Sequence, residues 1–225
     1  MGVELDKPIL SDKALQLNYT NEGGVGGKIR FLKNIMGLWL VQECRRQFVR
    51  EGYDHSYAEL TTMASAAKGL RSLIDLDHPP FGLPGEMPHK IEAFCQSTHQ
   101  PVPSTRGEFV RCCLDSLAMS YRKTLEGLES ILGKKIGVIH IVGGGTQNEL
   151  LNQMTADACG RPVVAGPIEA TAIGNVLVQA MATGDVPSLA AARQIVRNSF
   201  DVKRYEPRNT AAWDETYGKY RTLPA

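Results

Sequence analysis

The stretch HIVGGGTQNELLNQM, residues 140–154, decides the fold class of this chain. The apolar run that leads into it, residues 136–142, is typical of a strand buried on both faces of a parallel sheet. Three glycines follow, and residues 146–159 then show the spacing of an amphipathic helix. Thr146 and Glu149 have the spacing of a capping box at the start of that helix. The stretch therefore predicts a strand, a glycine turn and a helix.

The same alternation continues towards the C-terminus. Gly160, with a proline two residues later, marks the end of the first helix. Residues 162–165 form a second short apolar run, and residues 169–183 form a helical pattern of small residues that ends at Gly184. A strand, helix, strand and helix in this order predict an α/β unit with a parallel sheet.

The rest of the chain is predicted to be largely helical. Residues 28–50 have apolar side chains near a 3.6-residue period, which predicts a helix. Four prolines between residues 75 and 88 predict a loop. Residues 1–27 are predicted to form extended segments and turns, and helices are predicted over 57–73, 89–97 and 105–132. The segment from residue 189 onward is predicted to be mainly helical, except for residues 199–208, which are predicted to be irregular. Within this segment, Trp213 and Tyr217 are expected to be packing residues.

Composition excludes several classes of protein. The 225 residues are 43% apolar and 22% charged, with a formal net charge of +1, which is ordinary for a globular protein and lacks the basic excess of nucleic-acid binders. The five cysteines show no CxxC spacing, which argues against zinc and favours reduced thiols; a Cys95–Cys112 bridge stays open. The N-terminus resembles no signal peptide and no apolar run reaches membrane length. We expect a cytoplasmic protein.

The glycines of residues 143–145 admit four interpretations. The simplest is a tight turn between strand and helix. A phosphate-binding P-loop is excluded, because the one candidate lysine, Lys28, is followed by Ile29 rather than Ser or Thr. A dinucleotide fingerprint would use Gly143 and Gly145, with Glu169 as the ribose ligand.

The fourth interpretation is a Gly-Gly-x-x-x-Asn turn, residues 144–148, that holds an adenine base. Glycine lacks a Cβ atom, so a flat ring can lie against its backbone. The amide of Asn148 would then supply a hydrogen-bond donor and acceptor to the base. The start of the following helix adds free N–H groups and a partial positive charge.

Two long blocks, residues 21–46 and 140–185, resemble the C-terminal domain of the FGGY carbohydrate kinases, most closely the branch that phosphorylates L-rhamnulose. The resemblance covers essentially the whole chain. It implies the α/β, ribonuclease-H-like fold of the actin, Hsp70 and hexokinase superfamily, truncated at its N-terminal strands and with added helices. Residues 1–225 would then be the ATP-side domain, with the N-terminal domain absent.

The resemblance also implies an activity. It is the ATP- and Mg²⁺-dependent phosphorylation of L-rhamnulose to L-rhamnulose 1-phosphate, a step of rhamnose catabolism. The family's catalytic Asp lies upstream of the matching segment, so we assign no catalytic residue and expect the isolated chain to be inactive. Self-association, or pairing with the N-terminal domain, would cover surface that the truncation leaves bare.

Site residues follow from the resemblance by position. Asn34 matches a sugar-contacting Asn, and Gln42 and Gly144 match ATP-contacting residues; Gly143, Gly145 and Asn148 complete the nucleotide side. If residues 28–50 form one helix, Asn34 and Gln42 lie on one side of it, about 12 Å apart at about 1.5 Å per residue.

Three alternatives remain. They are a non-catalytic module that binds adenine nucleotides, a kinase of another ketose, and a dinucleotide-dependent dehydrogenase half-domain.

Overall fold

The computed structural model describes residues 1–224, and two small sheets flank its helices. The first sheet is antiparallel, in the order β1–β3–β2, and its strands are β1 (Gly2–Leu5), β2 (Thr20–Gly23) and β3 (Ile29–Leu32). Phe31 of the central strand is fully buried and lies opposite Val3 on one side and Asn21 on the other.

The second sheet carries the predicted α/β unit. Its strands are β4 (Ile139–Ile141), β5 (Val163–Ala165) and β6 (Lys203–Tyr205). β4 and β5 are parallel, as predicted, and β6 adds to β5 in the antiparallel direction. β6 lies in the segment that the sequence predicted to be irregular. In each sheet the first strand, β1 or β4, has one edge without a partner strand among residues 1–224.

The helices build the main core. They are α1 (Asp12–Gln16), α2 (Trp39–Arg50), α3 (Tyr57–Ala66), α4 (Met87–Ser97), α5 (Arg106–Leu132), α6 (Glu149–Cys159), α7 (Ala170–Thr183), α8 (Leu189–Ser199) and α9 (Thr210–Tyr220). Apolar side chains of α2 to α6 and α9 form one buried cluster, which contains Trp213 and Tyr217 as predicted. α5 begins with a capping box between Thr105 and Glu108 and ends at left-handed Gly133.

α3 and α5 approach each other closely at Gly107. A Cβ atom at this glycine would lie 2.6 Å from the carbonyl oxygen of Met63, well inside contact distance. Only glycine therefore permits this crossing of the two helices.

The prediction of one helix over residues 28–50 is wrong for the first half of this range. Residues 29–32 form β3, and only residues 39–50 are helical. Gly37, with a φ of 65°, adopts a left-handed conformation that interrupts any continuous helix. The apolar spacing fits a helix, but pairing of β3 with two neighbouring strands supplies hydrogen bonds that the local pattern does not reveal.

Three further boundaries differ from the predictions. The helix expected over 57–73 ends at Ala66, and residues 73–76 are buried in a loop instead. The strand expected over 136–142 is reduced to β4 and is not buried on both faces, since His140 is exposed. The helix expected from residue 146 begins at Glu149, because residues 144–147 form a 3₁₀ turn.

All five cysteines are buried free thiols, so Cys95 and Cys112 do not form a bridge. Burial raises the pKa of Cys159 to about 12, which keeps this thiol protonated. None of the helices within residues 1–224 combines the length and the apolar character that crossing a membrane requires.

Candidate nucleotide-binding site

Three separate parts of the fold enclose one cavity. They are the first turns of α2, the first turns of α3, and the loop between β4 and α6. The cavity has a volume of about 580 Å³, enough for a nucleoside-sized ligand. Its lining residues are Leu38, Val41, Gln42, Tyr57, Ala58, Thr61, Gly144, Gly145, Gln147, Asn148, Glu149 and Leu150.

The three glycines of residues 143–145 have different structural roles. Gly143 has a φ of 85°, a conformation that other residues rarely adopt, and its N–H donates to the carbonyl of Pro167 at 3.0 Å. It makes the turn, as the simplest interpretation requires, and does not line the cavity. Gly144 and Gly145 do line it, and within residues 1–224 a Cβ atom on either would meet nothing within 4 Å beyond the adjacent residues and backbone of its own turn. Their backbone is therefore open to a ligand.

Asn148 links the cavity to the start of α6. Its side-chain oxygen accepts a hydrogen bond from the Leu151 N–H at 2.9 Å and so caps the helix. The predicted capping box of Thr146 and Glu149 is wrong, because the Thr146 hydroxyl donates to the Gly143 carbonyl at 2.8 Å. Since the cap uses only the oxygen of Asn148, its amide NH₂ remains available to a ligand.

Gln42 lies on the first turn of α2 and faces the glycine loop across the cavity. Its side-chain amide is half-buried and makes no hydrogen bond within residues 1–224, whereas its backbone N–H donates to the Leu38 carbonyl at 3.0 Å. The next residue, Glu43, anchors α2 to the loop that contains Gly85. The buried carboxylate of Glu43 accepts hydrogen bonds from the Gly85 N–H at 2.7 Å and from the Arg46 guanidinium. Burial acts to raise the pKa of Glu43, but these hydrogen bonds outweigh it and hold the pKa below its ordinary value.

The cavity wall is nearly neutral. Glu149 is the one charged residue among its lining residues in the described chain, and its carboxylate pairs with Lys203 at 2.7 Å. With no lysine or arginine in this wall, the cavity suits an uncharged ring and a ribose better than a triphosphate. Charged phosphates would need partners outside it.

Asn34 does not share this cavity. It is exposed in the loop between β3 and α2, so the prediction that it and Gln42 project from one helix is wrong. Two contacts hold this loop near the proline-rich loop: the Trp39 indole N–H donates to the Phe81 carbonyl at 3.2 Å, and Lys33 lies 3.9 Å from Asp77.

Glu169 also lies apart from the open glycines. It precedes α7 and lines a neighbouring cavity of about 420 Å³, together with Pro167 and Ile168. Gly144 and Gly145 line only the larger cavity. The residues of the predicted dinucleotide fingerprint, Gly145 and Glu169, therefore line different cavities and do not form one binding site.

The sequence did not reveal the wall that α3 contributes. Tyr57, Ala58 and Thr61 line the cavity. Tyr57 is 52% exposed, and the Arg45 guanidinium lies 5.3 Å from the centroid of its ring. A tyrosine at the start of a predicted helix was the only signal available in the sequence. Tyr57 adds a flat apolar surface on which a base can stack.

Within residues 1–224, no group of three or more His, Cys, Asp or Glu side chains is placed to hold a metal ion. The structure therefore assigns no residue to magnesium.

The chain is similar in sequence to known carbohydrate kinases. The sequence model of the FGGY family of carbohydrate kinases, C-terminal domain, matches residues 1–183. The chain is 48% identical to a rhamnulokinase of Bacteroides thetaiotaomicron over 96% of the chain and 44% of that protein. It is 44% identical to a rhamnulokinase of Enterococcus faecalis over 92% of the chain and 42% of that protein. It therefore spans less than half the length of these relatives.

Solved structures confirm the predicted fold class. The gluconate kinase of Lactobacillus acidophilus superposes with a TM-score of 0.65 at 15% identity, covering 97% of this chain and 43% of that one. The xylulose kinase of Rhodospirillum rubrum gives a TM-score of 0.61 at 18% identity, covering 92% and 41%. At these identities the likeness concerns the fold alone.

Proposed function

The chain belongs to the FGGY family of carbohydrate kinases, and we propose that it is the nucleotide-side domain of a kinase that transfers phosphate from ATP to L-rhamnulose. The convergence of Gln42, Gly144, Gly145 and Asn148 on one cavity supports the nucleotide half of this proposal. The rhamnulokinase names of relatives at 48% and 44% identity support the sugar half.

Adenine and ribose are the parts of ATP that fit the cavity. The base lies against the bare backbone of Gly144 and Gly145, which Gly143 holds in position. The free amides of Gln42 and Asn148 supply donors and an acceptor to the polar edge of the base. Because the wall lacks cationic side chains, the phosphates extend towards solvent and towards groups outside this cavity.

The transfer itself needs groups from elsewhere. Phosphoryl transfer is catalysed by positioning, by a base that accepts the hydroxyl proton, and by Mg²⁺ on the phosphates. We propose that an N-terminal domain, corresponding to the part of the relatives that this chain does not match, supplies the base. Magnesium would enter with ATP. The same assignment makes the isolated chain inactive towards sugar.

For the sugar we propose a contact with Asn34. Its exposed position on the β3–α2 loop leaves its amide accessible to a ligand held between two domains. One amide cannot distinguish L-rhamnulose from another ketose, so the choice of sugar depends on the relatives. A kinase of another ketose is the alternative within the same mechanism.

A nucleotide titration tests the nucleotide half. ATP or ADP should raise the melting temperature of the chain, since a ligand that binds only the folded state stabilises it by RT ln(1 + [L]/Kd). NAD should have no comparable effect. Stabilisation by NAD without stabilisation by ATP would contradict the proposal.

A second experiment tests the sugar half. The chain is joined to the N-terminal domain of the Bacteroides thetaiotaomicron rhamnulokinase, and ADP release is measured with a panel of ketoses. L-rhamnulose should give the highest kcat/KM. A preference for another ketose would replace the substrate but keep the kinase, whereas ADP release by the chain alone would refute the need for the second domain.

A further inference from the structure

Glu149 gives the nucleotide cavity its one charged group within residues 1–224. It is the first residue of α6 and follows Asn148, which lines the same cavity. An ionised carboxylate accepts hydrogen bonds but cannot donate one. Glu149 therefore restricts which atoms a ligand can present to this part of the wall.

Lys203 holds the Glu149 side chain from outside the nucleotide cavity. Its ammonium nitrogen lies 2.7 Å from Oε2 of Glu149, which leaves Oε1 to accept from a ligand. Lys203 is the first residue of β6 and lies opposite Ala165 in the second sheet, so its backbone is anchored. It lines the neighbouring cavity of about 420 Å³ and not the nucleotide cavity. Both side chains are more than half exposed, so their ion pair stabilises the fold little.

Asn148 provides a fixed donor beside this fixed acceptor. Its Oδ1 accepts from the Leu151 N–H at 2.9 Å, and this cap of α6 keeps the amide from turning over. The NH₂ group is therefore the part of the Asn148 amide that a ligand can meet. Because Asn148 and Glu149 are adjacent and line one cavity, they present a donor and an acceptor side by side.

The two glutamines of the wall cannot choose between bases. Gln42 and Gln147 line the cavity, and neither side-chain amide has a hydrogen-bond partner within residues 1–224. Each amide can rotate to present its oxygen or its NH₂ group, so it can serve a ligand acceptor or a ligand donor. Any choice by hydrogen bonding in this wall therefore depends on Asn148 and Glu149.

Purines differ in the order of donor and acceptor at the edge that such a pair can read. Adenine carries an amino donor at C6 and an acceptor at N1. Hypoxanthine, the base of inosine triphosphate (ITP), carries an oxygen acceptor at C6 and a donor at N1, as guanine does. In one and the same pose, a carboxylate that faces C6 accepts from the amino group of adenine and is repelled by the oxygen of the other two bases.

We infer that Glu149 selects the base of the nucleotide: its carboxylate accepts a hydrogen bond from the C6 amino group of adenine, beside the NH₂ group of Asn148, and disfavours purines with an oxygen at C6. Lys203 is the positioning residue that holds this carboxylate in place. The inference rests on the proposed function. It implies that the chain discriminates ATP from ITP and GTP.

Calorimetry with ATP and with ITP tests this contact. The wild-type chain should bind ATP at least about tenfold more tightly than ITP, as expected for one hydrogen bond to a charged group. Glu149→Gln introduces an amide that can rotate to accept from adenine or donate to hypoxanthine, so the ratio of the two affinities should fall below about threefold. Glu206→Gln is the matched control and should keep the wild-type ratio, because Glu206 is also an exposed, ion-paired glutamate but lines neither cavity.

Two substitutions of Lys203 test its positioning role. Lys203→Met releases the Glu149 carboxylate and should lower the ratio of ATP to ITP affinity, whereas Lys203→Arg keeps a cation and should restore that ratio. A purely structural role would change the melting temperature without changing this ratio. Circular dichroism checks that each variant folds, and the comparison of ATP with ITP in the wild-type chain needs no variant.

The possible outcomes separate this inference from the proposed function. Equal affinity of the wild-type chain for ATP and ITP, or a wild-type ratio in Glu149→Gln, would overturn the inference and leave nucleotide binding intact. If Glu149→Gln weakened both nucleotides equally, Glu149 would contact the ribose that they share, which also overturns it. A wild-type chain that binds neither nucleotide would refute the proposed function, and the base contact with it.

Discussion

Replacing Gln42 with Ala is the sharpest test of the nucleotide site. The side chain makes no hydrogen bond within residues 1–224, and alanine favours helix, so the free energy of unfolding should change by no more than about 0.5 kcal/mol. In the complex, the variant loses about two neutral hydrogen bonds to the base, worth about 0.5–1.5 kcal/mol each. A loss of about 1–3 kcal/mol raises Kd by about 5-fold to about 140-fold.

Thermal denaturation and calorimetry measure this effect. At an ATP concentration 100 times Kd, the ligand stabilises the chain by about 2.7 kcal/mol, and a tenfold weaker Kd reduces that to about 1.4 kcal/mol. Gln47→Ala is the control on the same helix: its amide bonds Glu51 at 2.9 Å and does not line the cavity. If both variants bind ATP as the wild-type chain does, the base does not lie where we propose.

The remaining predictions concern the same cavity and the helix that borders it. Asn148→Asp keeps the oxygen that caps α6 but removes the NH₂ donor, so calorimetry should show weaker ATP binding with a melting temperature close to that of the wild type; unchanged affinity would exclude this donor. Gly144→Val should abolish stabilisation by ATP, while Gly137→Val, also in open space, should not; equal stabilisation in both would show that Gly144 does not border the ligand. Glu43→Gln should lower the free energy of unfolding at pH 7 by about 1–2 kcal/mol. Because the folded pKa of Glu43 is lowered, its contribution is present above its ordinary pKa of 4.5 and is lost as pH falls through the folded value, so urea titrations should show the stabilities of the two proteins converging as the pH falls below 4.5; a constant difference would place the effect elsewhere.

The order of elements around the glycine loop was predictable because its signals are local. An apolar run, a Gly143 that must adopt positive φ and the stop at Gly160 each act within a few residues. The nucleotide side could be proposed for the same reason, since Gly144, Gly145 and Asn148 are neighbours in the chain.

The errors arose where distant contacts decide the structure. β3 is a strand because β1 and β2 pair with both of its edges, and nothing in residues 28–36 themselves encodes those partners. The cavity wall formed by Tyr57 and Thr61 depends on how α3 packs on α5. Asn34 does not lie beside Gln42, because residues 28–50 form a strand, a loop and a helix instead of one helix.

The close crossing at Gly107 has a consequence for how ligand preference can change. α3 carries one wall of the cavity, and its distance from α5 is set by backbone touching backbone at Met63. A methyl group at residue 107 would have to displace α3 as a rigid rod, since helices transmit such strain along their length. The width of the cavity is therefore set by a glycine that does not itself line the cavity.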